Sequence, residues 1–206
     1  MSLLAVIGIP LASCAAPPVT LYALGASGGG SPGTPPATAL QPGAAVIQLS
    51  RVTLPDYLDT QDIMVRRGSV LDSSHTGRWA SRLSLGATGL LAARLARTRP
   101  DALVTDQPQT TAPTHRLLVN ISRFDVAADT ATTGRATLDA DWLIVPRDAA
   151  LPTMRGRITL GVEGPVGSDQ DVVAMETTLL SRLADSIDIT RLPNGPNPTP
   201  GTRPIR

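Results

Sequence analysis

The sequence predicts an α+β fold: a mostly antiparallel sheet with two main helices packed on one face. Two observations support it. Three long segments in the second half alternate apolar and polar residues, and two other segments carry apolar residues at helical spacing. Apolar residues make up 42% of the 206-residue chain, enough for one domain with its own core. Because aromatic residues are only 2%, aliphatic side chains must fill that core.

The strands of the first half are short. A tight turn at Arg67-Gly68 joins two of them as a hairpin. A stretch rich in Gly, Ser, Pro and Thr, residues 25–43, separates the first two strands and predicts a flexible insert. The four predicted strands span residues 19–24, 44–52, 62–66 and 69–72.

Two helices and three longer strands complete the predicted domain. The first helix covers residues 78–97 and ends before Pro100. The second begins after Ser168, which with Asp171 forms an acidic variant of the capping box, and its apolar stripe runs to Ile187. Residues 101–114 are predicted to be a polar connection. The three longer strands between the helices cover residues 116–126, 137–145 and 155–163.

The charge balance argues against a nucleic-acid partner. The chain has 18 basic residues, all of them arginine, and 17 acidic residues, for a net charge of +1. Neither a basic surface nor a set of aromatic rings for base stacking is indicated. A single cysteine excludes an intramolecular disulfide and a cysteine-rich metal site.

That cysteine, Cys14, lies where a short apolar run stops. Residues 3–11 have the length of a signal-peptide core and are too short to span a bilayer. Residues 11–14, LASC, resemble the bacterial lipobox, which implies cleavage before Cys14 and its acylation. Several acyl chains would anchor the protein stably in a membrane. The alternative is that Cys14 is a buried structural residue at the end of a small strand.

These features divide the chain into three parts. Residues 1–13 are predicted to be a lipoprotein signal peptide and residues 14–190 a single domain. Residues 191–206 contain five prolines and are predicted to be a disordered tail. Ala15 and Ala16 follow the cysteine without an aspartate, which by resemblance to Gram-negative lipoproteins favours the outer membrane.

Three motifs behind the lipobox carry a family resemblance. They are YAL at residues 22–24, LPDYL at residues 54–58 and RW at residues 78–79. In this order they are similar to the ABC-type transport auxiliary lipoprotein family. The resemblance implies a periplasmic, outer-membrane-anchored domain that docks an MCE protein, whose ABC permease and ATPase lie in the inner membrane. It implies no enzymatic activity and no cofactor, and it leaves room for a homo-oligomer.

Four residues of these motifs are candidates for a partner or lipid interface: Pro55, Tyr57, Leu58 and Trp79. Pro55 fixes a turn because its φ is locked, and Tyr57 then presents an amphipathic ring at a corner. The alternative is that the aromatic rings are core anchors. For Trp79 the core reading is favoured; for Tyr57 the two readings stand equal.

The competing function is a periplasmic cell-envelope hydrolase that uses His75 or His115. No G-x-S-x-G motif accompanies either histidine, and both are predicted to be exposed loop residues. Asp139 and Asp141 lack a histidine at metal-binding spacing, so they predict a solvated strand face and no metal site.

Overall fold

The fold was analysed in a computed structural model that describes residues 18–24, 40–110 and 112–195. Over these residues the chain forms eight strands and two helices. The helices are α1 (Leu83–Thr98) and α2 (Asp169–Ser186). The strands are β1 (Thr20–Tyr22), β2 (Val46–Leu49), β3 (Asp62–Arg67), β4 (Val70–Trp79), β5 (Leu103–Thr105), β6 (His115–Ala128), β7 (Thr133–Pro146) and β8 (Met154–Pro165).

All eight strands belong to one mixed sheet organised around β6. β7 pairs with one edge of β6 along the length of β6. β2 and β3 pair with the other edge of β6, near its opposite ends. Of the seven strand pairings, four are parallel: β1 with β4, β2 with β5, β2 with β6 and β3 with β6. The prediction of a mostly antiparallel sheet is therefore wrong.

The parallel pairings arise because the chain crosses over before it returns to the sheet. α1 lies between β2 and β5, which is the kind of connection that parallel neighbours require. Local hairpins, β3–β4 and β6–β7–β8, supply the antiparallel part. A hairpin can be recognised from adjacent segments, whereas a parallel pair joins segments that are distant in sequence.

Both helices cover one face of the sheet. Along β6 the residues Leu117, Val119 and Ile121 are buried, and the residues between them are exposed. The helices also contact each other, with the Arg94 guanidinium donating to both oxygens of Asp185 at 2.8 and 2.7 Å. The opposite face of β6, β7 and β8, called the outer face below, carries their alternate side chains.

The first helix begins later than predicted. Arg78 and Trp79 are the last residues of β4, and α1 starts at Leu83. The backbone N–H of Trp79 donates to the Gln61 carbonyl at 2.7 Å, while Trp79 itself is 2% exposed. This backbone hydrogen bond and the burial of the indole extend β4 to Trp79. The helical spacing of the apolar residues therefore begins only after Trp79.

The second helix has the predicted start. The Ser168 hydroxyl accepts from the Asp171 backbone N–H, and the Asp171 carboxylate accepts from the Ser168 backbone N–H at 3.1 Å. The acidic capping box is thus confirmed. Neither helix of the described residues has the length and apolar content needed to cross a membrane.

The first residues of the predicted tail pack on the domain. Leu192 is 5% exposed. The buried guanidinium of Arg99 donates to the Leu192 carbonyl at 2.6 Å and to Asn194 Oδ1 at 2.8 Å. The predicted signal peptide, most of the predicted insert (residues 25–39) and residues 196–206 lie outside the described residues, so the division of the chain into parts stays a prediction.

Candidate functional site

The LPDYL motif forms a corner between β6 and the start of α1. The backbone N–H groups of Leu58 and Asp59 both donate to the Pro55 carbonyl, at 2.9 and 3.3 Å, which closes the predicted turn. Asp59 Oδ1 accepts from the N–H of Ser84 at 3.1 Å and so satisfies a donor of the first turn of α1, whose preceding residue supplies no side-chain cap. Asp59, the residue after the motif, therefore links this corner to the start of the helix.

The four predicted interface residues separate into core and surface. Leu58 is 5% exposed and Trp79 is 2% exposed, so both belong to the hydrophobic core and offer no surface to a partner. Pro55 is half-buried. Tyr57 is 45% exposed and is the residue of this motif that presents an aromatic ring to solvent. An interface at this corner would thus depend on Tyr57, with Pro55 beside it.

The Tyr57 hydroxyl is held by a charged cluster on the outer face. It donates to Asp125 Oδ1 at 3.4 Å, and the same carboxylate pairs with Arg66 at 3.3 Å and Arg123 at 3.4 Å. Partial burial and the negative charge of Asp125 raise the pKa of Tyr57. The phenol therefore stays a neutral donor to Asp125.

Sequence reasoning missed the partners of Tyr57. Asp125 lies 68 residues further along the chain, and no local pattern marks it. A β-bulge between Ile121 and Arg123 shifts the register of β6 against β7. After the bulge both Arg123 and Asp125 point away from the core, next to the LPDYL corner.

A second feature of the outer face is a shallow groove of about 710 Å³, called the outer-face groove below. Its floor contains Leu118 and Leu143, which are paired across β6 and β7. Arg51 approaches from the segment that follows β2, and Arg155 from β8. The other residues that line it are Ser50, Thr53, Val119, Asn120, Asp141, Trp142, Gly156 and Arg157.

The aspartates of β7 are engaged with their neighbours on β8. Asp141 Oδ1 accepts from Arg157 Nε at 2.6 Å, and Asp139 Oδ1 accepts from the Thr159 hydroxyl at 2.6 Å. Within the described ranges, no group of three His, Cys, Asp or Glu side chains is placed to hold a metal ion.

The two histidines occupy different strands and different environments. His75 is exposed within β4. His115 is the first residue of β6 and is 3% exposed, so its prediction as an exposed loop residue is wrong. Its Nδ1 lies 2.9 Å from the Thr114 hydroxyl, which also donates to the Val46 carbonyl. Burial and the positive charge of Arg99 lower the pKa of His115, so its ring is neutral, and the Thr114 hydroxyl links that ring to β2.

One buried carboxyl group was not predicted. Glu176 of α2 is 5% exposed, and its Oε2 has no hydrogen-bond partner among the described residues. Burial raises the pKa of Glu176 to about 8, so the group holds a proton at neutral pH. A pattern did indicate it: Glu176 follows Val172 by four residues and therefore lies on the apolar stripe of the helix.

The predicted lipid-attachment residue, Cys14, lies outside the described residues.

Comparison with known proteins agrees with the resemblance seen in the motifs. The model of the ABC-type transport auxiliary lipoprotein component family matches residues 29–188. That range contains α1, α2 and every strand except β1. No curated protein is significantly similar in sequence to this chain.

Solved structures share the fold at low sequence identity. An uncharacterized protein is 16% identical with a TM-score of 0.62, over 82% of this chain and 95% of its own. Protein XCC0632 from Xanthomonas campestris is 14% identical with a TM-score of 0.57, over 80% of this chain and 90% of its own. The PelC dodecamer from Paraburkholderia phytofirmans has a TM-score of 0.37 at 8% identity, over 70% of this chain and 92% of its own, too distant to support an inference about oligomerisation.

Proposed function

Because the chain belongs to the family of ABC-type transport auxiliary lipoprotein components, we propose that it is a lipid-anchored accessory component of an ABC/MCE-type lipid transport system. The observation that carries the proposal is the family match over residues 29–188, which covers nearly all of the described domain. In this role the protein docks an MCE partner and catalyses no reaction. Its place is the periplasmic face of the outer membrane.

The anchor is Cys14. An apolar run of the length of a signal-peptide core precedes the LASC sequence, and acylation of the new N-terminus would tether the folded domain. Three residues, 15–17, separate this cysteine from the first described residue. The domain would therefore remain close to the membrane surface, where a periplasm-spanning partner could reach it.

The docking position is the LPDYL corner, at Tyr57. Tyr57 is an exposed aromatic residue whose hydroxyl is already satisfied by Asp125, so its ring can be buried by a partner without leaving a polar group unpaired. Pre-orientation by the Asp125 cluster also lowers the ordering cost of binding. Aromatic residues with these properties dominate the energetics of many interfaces.

The test is recovery of partners from native membranes. Tagged full-length protein, purified from detergent-solubilised membranes, is expected to carry an MCE protein with its ABC permease and ATPase subunits. A tagged, unrelated outer-membrane lipoprotein serves as the control for capture through the anchor alone. Recovery of the same proteins with that control, or of no transport subunits, would contradict the proposed role.

A further inference from the structure

The outer-face groove combines basic side chains with a strip of exposed apolar surface. Leu118 of β6 pairs with Leu143 of β7, which pairs with Arg155 of β8. These three positions span about 10 Å, because neighbouring strands lie about 4.8 Å apart. Leu118 is 43% exposed, which is unusual for a leucine in the middle of a sheet. Arg51 lies across the groove from Arg155.

Among the described residues, three arginines at this end of the outer face are not held in ion pairs. Within the described part of the chain, Arg51, Arg116 and Arg155 form no ion pair. Arg116 is exposed on the same face, two residues before Leu118. Asp141 is the carboxylate that lines the groove among the described residues, and Arg157 already pairs with it at 2.6 Å.

The far end of the same face is different, since its arginines are balanced by carboxylates. Arg66 and Arg123 both pair with Asp125, and Arg135 pairs with Glu163. On the outer face as described, the arginines without an ion pair are therefore concentrated around Leu118 and Leu143. A local excess of positive charge around exposed leucines is a property of surfaces that meet an anionic partner.

We propose that this end of the outer face rests on the anionic headgroups of a phospholipid bilayer. Guanidinium groups bind phosphate oxygens in bidentate fashion, and their aliphatic stems can lie along apolar surface while the charge stays at the headgroups. Leu118 and Leu143 lie between the arginines, where they reach the apolar side of the interface. Each arginine near an anionic membrane adds to the attraction, and no deep pocket is required.

A protein partner fits this surface less well. The apolar strip consists of a few side chains, chiefly Leu118, Leu143 and Val145, whereas a stable protein interface buries about 800 Å² on each partner. Headgroup binding instead depends on the number of unpaired cations, which is what this end of the sheet supplies.

The inference deepens the proposed function and rests on it in one respect: a domain tethered through Cys14 has a membrane within reach.

The test compares three full-length proteins that all carry Cys14→Ser, so that no acyl chain contributes. The first has no other change, the second has Arg51→Ser with Arg155→Ser, and the third has Arg97→Ser with Arg182→Ser. The third is the matched control, because Arg97 and Arg182 are exposed arginines on the two helices and the loss of charge is the same. Co-sedimentation measures binding to phosphatidylcholine vesicles with and without phosphatidylglycerol. The apolar N-terminal segment is identical in all three proteins and cancels in the comparison.

We expect phosphatidylglycerol to strengthen binding of the first protein and of the control, and the groove variant to bind these vesicles roughly 25-fold more weakly, about fivefold for each arginine. Leu118→Ser, an exposed apolar change at constant charge, is expected to weaken binding severalfold. Equal losses for the groove and control variants, or no effect of phosphatidylglycerol, would overturn the proposal. So would binding of inorganic phosphate or polyglutamate at Arg51 and Arg155 without binding of vesicles. Because acyl chains are absent, such a failure leaves the Cys14 anchor and the transport role to be judged by their own experiments.

Discussion

The Tyr57 hydroxyl donates a 3.4 Å hydrogen bond to Asp125 Oδ1, and through it the LPDYL motif is joined to β6, 68 residues further along the chain. The same carboxylate pairs with Arg66 and Arg123 and is 10% exposed. One end of the tyrosine is therefore fixed by a partly buried charge, while 45% of the residue faces solvent. This arrangement separates its effect on stability from its effect on binding.

Tyr57→Ala is expected to weaken MCE-partner binding by about 2 kcal/mol or more and to change the free energy of unfolding by less than about 1 kcal/mol. Binding would be measured by calorimetry and stability by urea unfolding of the same preparations. Tyr57→Phe keeps the ring but loses the orienting hydrogen bond to Asp125, so it should lose much less affinity than Tyr57→Ala. Leu85→Ala, a change at a leucine that is 43% exposed on α1, is the control. If affinity falls only in proportion to lost stability, Tyr57 is a structural residue and the docking surface lies elsewhere.

Cys14→Ser is expected to abolish cleavage by the lipoprotein signal peptidase and acylation. The reason is that the thiol is the acylated group and no other cysteine is present in the chain. Mass spectrometry of the membrane fraction should show an N-terminal acylated Cys14 in the wild type and an uncleaved precursor in the variant. Ser13→Ala retains a small residue before the cysteine and should be processed normally. An unmodified Cys14 in the mature wild-type protein would disprove the anchor.

Glu176 is expected to make the free energy of unfolding fall as the pH rises from about 4.5 to about 8. Its pKa is about 8 in the folded protein and 4.5 as an ordinary glutamate, so the folded state holds a proton that the unfolded state has lost. The slope is at most about 1.4 kcal/mol per pH unit. The contribution of the protonated Glu176 to stability is complete below a pH of about 4.5 and is lost as the pH rises to about 8.

Glu176→Gln should remove this slope, because the amide cannot ionise, and the variant should be the more stable protein above pH 8. The measurement is urea unfolding at pH values from about 4 to about 9. Glu163→Gln, at a side chain that is 70% exposed, is the control and should leave the pH dependence unchanged. Parallel pH profiles for wild type and Glu176→Gln would show that the carboxyl reaches solvent.

The tail is expected to contain two energetically different parts. Removing residues 196–206 should leave stability unchanged, since their proline-rich composition predicts little packing. Removing residues 191–206 should cost about 2–4 kcal/mol, because Leu192 leaves the core and Arg99 loses two of its acceptors. Thermal melts of the two truncations, compared with Leu192→Ala, distinguish the parts. Equal melting temperatures would show that the contacts of Arg99 with this segment contribute nothing.

Local patterns in the sequence determined most of the secondary structure and the family. Alternation predicted β6, β7 and β8, and the capping box predicted the start of α2, because each depends on residues within one element. The order of the YAL, LPDYL and RW motifs pointed to the family that the match over residues 29–188 identifies. The apolar stripe of α2 also contained the information that Glu176 is buried.

The tertiary structure decided which of these residues meet. Parallel pairing of β2 with β6, the strand conformation of Trp79 and the burial of His115 depend on segments that lie far apart in the chain. The same is true of Tyr57 with Asp125 and of Arg51 with Arg155 around the outer-face groove. Sequence periodicity reports which face of an element is apolar, but it carries no information about which distant element covers that face. Long-range packing supplies that choice, and with it the candidate sites of this protein.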